Sequence, residues 1–344
     1  MLRPYNNLDL IDSKYINNYL KGKQRNIFYK GKKCELKELD EECNKRKNLT
    51  YNKDTKILYR CDKRFKPTML VIKKGVYMPR KQKKVIKKRI IYKLDAATVD
   101  GLVFRKLMDI TRHRNDGEWK NIARYHGIFK CKNETLINME MSDGMANKVW
   151  RDVHVSKRTY IKKLIKQIFN VLDFVNKKKY FGHGKMLLRN IYVHNRSNRV
   201  FFKMGNFSNS VYFLKKNQII TGIKNIRRMK VEEDDKWVSF KPALNINNVS
   251  DAQDYISSII LRGYKDIDKY VLILSIMMNK TFKNVEIPSN IKFKKEQMGM
   301  LLEKIKTLEE PKNEGEEMKN IAKILTTKLK DGSYLKMKLK NNLI

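Results

Sequence analysis

Apolar residues recur along this chain with two different periods, and the change falls near residue 150. Before it, short β-prone runs broken by charge dominate, at 56–59, 68–72, 75–78 and 89–94. One helical stretch interrupts them, with Val99, Leu102, Val103, Leu107 and Ile110 at three- and four-residue spacing. Two more strands are expected at 122–129 and 135–141, and Gly144 marks a turn. After 150, Tyr160, Leu164, Ile165, Ile168, Leu172 and Val175 trace an amphipathic helix. Strands at 191–194 and 200–203 flank the turn-forming residues 195–198. Residues 208–250 read as loop, with a basic patch at 224–230 and an acidic one at 232–235. From 251 the pattern is helical, at 255–261, 270–278, 293–308 and 316–329, with a loop at 311–315. The first 54 residues are polar, with a helix or two expected around 8–20 and 35–46. The expected order is therefore an N-terminal extension (1–54), a small β-rich part (55–141) and a larger helical part (142–344), an α+β chain.

Charge adds a partner class to this outline. The chain carries 77 Lys and Arg against 36 Asp and Glu, a net charge of +41. Such a surface attracts polyanions, nucleic acid first, then acidic proteins, then anionic membrane. Part of the excess reflects a bias toward Lys, Asn and Ile of the kind an AT-rich genome gives. Residues 71–93 hold ten Lys/Arg and no acid. Lys73, Lys74, Lys83, Lys84, Lys87, Lys88 and Arg89 are its candidate polyanion-binding residues. The cysteines, Cys34, Cys43, Cys61 and Cys131, form no CxxC pair, which argues against zinc and for reduced thiols in an intracellular protein. The start, MLRPYNNLDLID, lacks the apolar stretch of a signal peptide, and the longest apolar run, 271–278, is about eight residues, too short to span a membrane. The expected location is the cytoplasm or nucleus of a host cell, or a virion.

The most informative segment is His183-Gly184-Lys185-Met186-Leu187-Leu188-Arg189-Asn190, between the helix at 160–175 and the strand pair at 191–203. Its spacing, with the order of elements around it, resembles the protein-kinase fold. The resemblance implies a two-lobed structure over about 55–330, with a small β-rich N-lobe and a larger helical C-lobe. It also implies roles. Asn190 falls where kinases ligate a second magnesium. Lys185 falls where they carry the Asp that accepts the substrate proton. Asn206, in Asn206-Phe207-Ser208 and 16 residues after Asn190, falls at the magnesium-binding Asp. Lys93, in Arg89-Ile90-Ile91-Tyr92-Lys93, looks like the third-strand lysine that clamps ATP phosphates, and Asp100 like its acidic partner on the helix. Residues 136–141 resemble the last small-lobe strand and the hinge, which makes Glu140 and Met141 residues of a vestigial nucleotide cleft. Lys241-Pro242-Ala243 resembles the end of the activation segment. Asp266 or Asp268 opens the large-lobe core helix, with Asp254 as a competitor. His183-Gly184 is nearest in flavour to the vaccinia-related and casein-kinase-like branch, and this with the Lys/Asn bias points to a large DNA virus.

The chemistry at those positions is degraded. An ammonium at Lys185 is already protonated at neutral pH and accepts nothing. Asn206 is a neutral ligand, weaker for a hard cation than a carboxylate. Asp100 is one methylene shorter than Glu. Between residues 50 and 100 the sole glycine is Gly75, so a glycine-rich phosphate loop is missing. The expectation is a catalytically inactive kinase-like protein, a scaffold or polyanion-associated binding protein, with no required cofactor or metal and weak ATP binding allowed. Asn190 and Asn206 are the weak metal candidates. The alternatives are an atypical active serine/threonine kinase using Asp173 or an acid of 232–235, and a nucleic-acid-binding protein of another fold.

Overall fold

A computed structural model of the chain describes residues 57–60, 68–74, 82–86, 89–93, 96–111, 118–130, 134–140, 142–178, 180–196, 199–215, 218–222, 230–233, 237–241, 245–264, 266–285, 301, 303–328 and 336–338. The expected extension at 1–54, the strand at 75–78, most of the basic patch at 224–230 and the first half of the helix at 293–308 lie outside these residues.

In chain order the elements are β1 (Ile57–Arg60), β2 (Thr68–Lys74), β3 (Gln82–Ile86), β4 (Arg89–Lys93), α1 (Ala96–Thr111), β5 (Tyr125–Lys130), β6 (Glu134–Glu140), β7 (Gly144–Met145), α2 (Lys157–Lys178), β8 (Phe181–Gly182), β9 (Ile191–Arg196), β10 (Arg199–Met204), β11 (Val211–Lys215), β12 (Gln218–Thr221), β13 (Lys230–Glu233), β14 (Trp237–Lys241), α3 (Val249–Leu261), α4 (Ile267–Met278), α5 (Glu314–Leu325) and β15 (Lys336–Lys338). The mixture is α+β.

One antiparallel sheet has the order β1-β2-β6-β5, with β2 and β6 paired from Thr68 opposite Glu140 to Lys74 opposite Glu134. A second has the order β3-β4-β12-β11-β8. In it β4 runs parallel to β12, with Ile91 opposite Ile219 and Lys93 opposite Thr221. This corrects the expectation that Arg89–Lys93 is the third strand of the sheet that ends in β6: the strand beside β6 is β2. Both runs are short, continuously apolar at their centres and end in lysine, so local pattern does not choose between them. The long-range register does. The second sheet also joins residues on both sides of the expected boundary at 141/142.

The stretch 208–250, expected as loop, contains β11, β12, β13 and β14. Each is only four or five residues long, too short for alternation to stand out from loop. Gly144, expected in a turn, opens β7, which pairs with β9.

The buried residues form one continuous core. α1 contributes Val99, Leu102, Val103, Phe104 and Leu107, the stripe its spacing foretells. α4 is apolar around nearly its whole circumference, with Val271 through Met278 all buried, as befits a helix with no solvent face. Tyr160 of α2 meets Phe202 edge-on at 4.8 Å and stacks on Phe282 at 5.8 Å. α2 is thus packed against the β9–β10 hairpin and the segment that follows α4.

Candidate functional site

The loop 183–190 is held from below by α4. Asp268, buried in that helix's first turn, accepts the backbone N–H of His183 at 2.6 Å through Oδ2 and that of Gly184 at 3.0 Å through Oδ1. Of the three candidate aspartates, Asp268 is the one that ties the core helix to the loop. Asp266 pairs instead with Lys269 at 2.8 Å, and Asp254 lies buried on α3. Burial pushes the Asp268 carboxyl up to about 7, while the two N–H donors pull the other way. Gly184 has φ +77°, and a Cβ there would stand 2.6 Å from the Asn209 carbonyl oxygen, so glycine is required.

His183 is fully buried. Its Nε2 donates to the Gly205 carbonyl at 2.9 Å, and its Nδ1 accepts the Lys185 N–H at 3.3 Å. One neutral tautomer satisfies both bonds. Burial lowers its pKa to about 4, so the ring stays neutral near pH 7.

Lys185 turns its ammonium toward α5, where Nζ lies 3.0 Å from Glu314 Oε1. Its carbonyl accepts Asn190 Nδ2 at 2.9 Å, and the same Nδ2 lies 3.3 Å from Glu314 Oε1. Asn190 Oδ1 accepts Asn206 Nδ2 at 2.8 Å, and Asn206 Oδ1 accepts the Ser208 hydroxyl at 2.9 Å. Asn206 has φ +58°, a left-handed conformation that Asn tolerates better than other side chains with a Cβ.

Asp100 enters from α1. Its Oδ1 accepts the Phe207 N–H at 2.8 Å and the Tyr125 hydroxyl at 2.7 Å. Tyr125 in turn accepts the Asn206 N–H at 3.2 Å. Burial, and then the Asp100 charge, hold the Tyr125 phenol protonated. Asp100, Lys185, Asn190 and Asn206 are therefore members of one hydrogen-bonded circuit, with His183 joined to it through the Lys185 N–H and Gly205.

The Lys93 backbone lies one strand from this circuit. The Lys93 position pairs with Thr221, whose neighbour Gly222 lies so close to the Ser208 carbonyl that a Cβ would stand 2.1 Å from it. The Lys93 side chain lies outside the described residues, as do Met141, Lys87 and Lys88.

Glu140 is buried at the end of β6, where both carboxylate oxygens receive Lys203 Nζ at 2.7 Å and Oε1 also accepts the Arg124 N–H at 2.8 Å. Burial alone would raise this carboxyl. The Lys203 cation and, less strongly, His194 outweigh it and hold Glu140 below the usual range. The Glu140 N–H is also taken, donating to the Arg124 carbonyl at 2.8 Å.

The basic candidates of 71–93 fall on two different sheets. Lys73 and Lys74 end β2, while Lys83, Lys84 and Arg89 belong to the β3–β4 hairpin. Asp173, one of the alternative carboxylates, is on α2 and paired with Lys269.

Three participants are missing from the sequence reading: Glu314, Glu317 and the role of Arg189. Arg189 Nε lies 2.8 Å from Glu317 Oε2, and its Nη2 donates to the Pro311 carbonyl at 2.7 Å. Glu317 also accepts the Ser275 hydroxyl, and that hydroxyl accepts the Leu188 N–H at 3.0 Å. The signal was present. Asn313 caps α5 by accepting the Glu316 N–H at 3.0 Å, and Glu314, Glu316 and Glu317 follow in the first turn. Asn followed three residues later by Glu is a capping box, which places the helix start inside the segment expected as loop.

The circuit is a junction. Its members are amides, a neutral imidazole, two hydroxyls, one ion pair and the Asp100 carboxylate, which is engaged by Tyr125 and the Phe207 N–H, and the Lys185 ammonium has no lone pair to take a proton. Among the described residues, no group of three or more His, Cys, Asp or Glu side chains is placed to hold a metal ion. No helix among them is long and apolar enough to cross a membrane.

No protein-family model matches the chain, and no curated protein does. Among solved structures, it is similar to the crystal structure of a kinase domain at 14% sequence identity and a TM-score of 0.33, over 50% of this chain and 53% of that one. The chain thus matches about half the length of that domain.

Proposed function

We propose that this chain is a two-lobed, kinase-like protein that has given up phosphoryl transfer and works by binding, with a polyanion, nucleic acid first, as its partner. The observation that carries the reading is the Lys185–Glu314 ion pair at 3.0 Å. At the position where the resemblance calls for a proton acceptor, the side chain is a cation engaged with a carboxylate from α5. Asp268 under the loop, Asn190 bonded to the Lys185 carbonyl and Asp100 bonded to the Phe207 N–H support a kinase-like frame. Phosphoryl transfer needs a positioned nucleophile and metal-borne charge stabilisation, and here Asn190 and Asn206 are bonded to each other. The net charge of +41 supports the polyanion. His183-Gly184 and the Lys/Asn bias support the vaccinia-related flavour, a viral source and an intracellular or virion location.

The test is a radiolabelled phosphate-transfer assay with Mg²⁺ or Mn²⁺, comparing wild type with Lys93→Ala and with Lys73→Ala/Lys74→Ala, since β2 is the strand beside β6. No transfer above background is expected, and transfer that any of these substitutions abolishes overturns the reading. A parallel thermal-shift titration with ATP should give no Mg²⁺-dependent rise in Tm, because a ligand that does not bind the native state cannot stabilise it.

A further inference from the structure

A chain of this charge that binds a polyanion needs a face where cations gather and acids are absent. α2 has such a face. From Lys157 to Leu172 it holds five Lys/Arg and no Asp or Glu. All five, Lys157, Arg158, Lys162, Lys163 and Lys166, are exposed, while the apolar residues between them are buried. Arg158, Lys162 and Lys166 follow at intervals of four, so they form a row about 12 Å long at 1.5 Å rise per residue. The next exposed residue on that row, Asn170, is uncharged, and the first acid, Asp173, is already engaged by Lys269. The segment before the helix adds exposed Lys148 and Arg151, with a single exposed acid, Asp152, between Arg151 and the helix. The Trp150 ring has Arg151 at 5.9 Å and Lys157 at 5.0 Å from its centroid, which draws two cations together at this end.

The arrangement works against the helix itself. Lys157 and Arg158 occupy the first turn, where the macrodipole is positive, and the turn itself contains no acidic residue. Lys162, Lys163 and Lys166 are close enough on one surface to repel one another. An anion laid along the row would relieve both.

We propose that the exposed face of α2, formed by Lys157, Arg158, Lys162, Lys163 and Lys166, is a docking surface for the phosphate backbone of a nucleic acid. This rests on the polyanion-binding reading above and gives it an address. A membrane fits less well: a helix on a lipid surface puts its apolar side among the acyl chains, and here that side is packed into the core. Four of the five cations are lysines, point charges without the planar fork that reads base edges, so the contact is sequence-independent.

The experiment measures fluorescence anisotropy of labelled duplex DNA and single-stranded RNA with the full chain over a salt series. Three proteins are compared: wild type, K162E/K163E/K166E, and K304E/K306E/K323E, which changes net charge equally at exposed positions elsewhere. Wild-type affinity should fall steeply with salt, by a log–log slope of about 0.9 per phosphate contacted on duplex. The α2 variant should lose at least about tenfold in affinity at low salt and show a shallower slope, while the control variant stays within about threefold of wild type. Unchanged thermal melts verify that both variants fold. Equal losses in the two variants would mean that net charge alone binds, which overturns the α2 surface and leaves the polyanion reading standing. Absence of salt-dependent binding in wild type overturns both. Binding to phosphatidylserine vesicles or to an acidic protein, with none to DNA or RNA, overturns the nucleic-acid assignment.

Discussion

Replacing Lys185 by Asp would supply the acceptor that the loop lacks, yet the geometry predicts a less stable protein and no enzyme. The Lys185 and Glu314 side chains are 12% and 25% exposed, and Nζ and Oε1 are 3.0 Å apart. At an effective dielectric near 20 the bare attraction is about 5 kcal/mol. Desolvation and side-chain ordering remove most of it, leaving a net coupling of about 1–2 kcal/mol for a pair this well sheltered. Lys185→Asp forfeits that coupling and sets a second carboxylate beside Glu314, so the total loss should be about 2–4 kcal/mol. Glu314→Gln should restore part of it, because Gln keeps an acceptor for Asn190 Nδ2 and removes the like charge. The measurement is urea unfolding at neutral pH of K185D, E314Q and K185D/E314Q. A cycle of K185M, E314Q and the pair gives the coupling itself. The reasoning fails if K185D is as stable as wild type, or if E314Q makes K185D worse instead of better. On the kinase-like reading proposed above, phosphate transfer should stay absent in K185D, since Asn206 would stand where that reading calls for a metal-binding carboxylate.

Three further outcomes follow from the same loop. Asp268→Ala leaves the His183 and Gly184 N–H groups without their acceptor, at about 1–3 kcal/mol each, and hydrogen exchange at those two amides should speed up before exchange in α2 does. Gly184→Ala forces a Cβ to 2.6 Å from the Asn209 carbonyl at positive φ, for at least about 1–3 kcal/mol, read as a lowered urea midpoint. The pH response has opposing parts. His183, depressed from 6.5 to about 4, gives stability that is full above pH 6.5 and is lost as pH falls toward 4. Asp268, raised from 3.8 to about 7, binds its proton more tightly in the fold, so its contribution is lost as pH rises from about 4 to 7. The two largely cancel between pH 4 and 6.5 in wild type. The penalty of His183→Gln should therefore shrink by about 3 kcal/mol between pH 6.5 and 4, and a penalty independent of pH would refute the buried neutral imidazole.

What was legible in the sequence has a common cause. α1, α2 and α4 each bury a stripe or a whole circumference at 3.6-residue spacing, and a period is a local property. The loop 183–190 was legible because a fixed spacing carried it, and the same spacing marked Asn190 and Asn206, whereas Asp268 stood as one of three candidates with Asp266 and Asp254. The sheet partners were not. β2 and β4 offer similar short apolar runs, and only pairing across sixty residues or more, to β6 in one case and β12 in the other, tells them apart. The four short strands from β11 to β14 fell below the length at which alternation can be separated from loop. The partner of Lys185 was not legible because Glu314 is remote in sequence, and the capping box that places Glu314 at a helix start lay in a Pro- and Gly-containing stretch.

Asn206 links the bonds of the loop to one another. Its Nδ2 donates to Asn190 Oδ1, and this fixes the Asn190 amide so that its own Nδ2 faces the Lys185 carbonyl and Glu314. An Asp at 206 has no donor, so its carboxylate would face the Asn190 oxygen. The Asn190 amide would have to flip, which turns its oxygen toward the Lys185 carbonyl and Glu314 and breaks both bonds. Either way one buried acceptor loses its partner, at about 1–3 kcal/mol. The Ser208 hydroxyl bond to Oδ1 survives the change and contributes nothing to the difference. Asn206→Asp and Lys185→Asp then act on the same amide and the same carboxylate, so their losses should not add. The double variant should depart from the sum by about 0.5–3 kcal/mol in a urea-unfolding cycle. Additivity within about 0.3 kcal/mol would show that Asn190 does not transmit between the two positions. The circuit would then reduce to separate contacts, each replaceable alone.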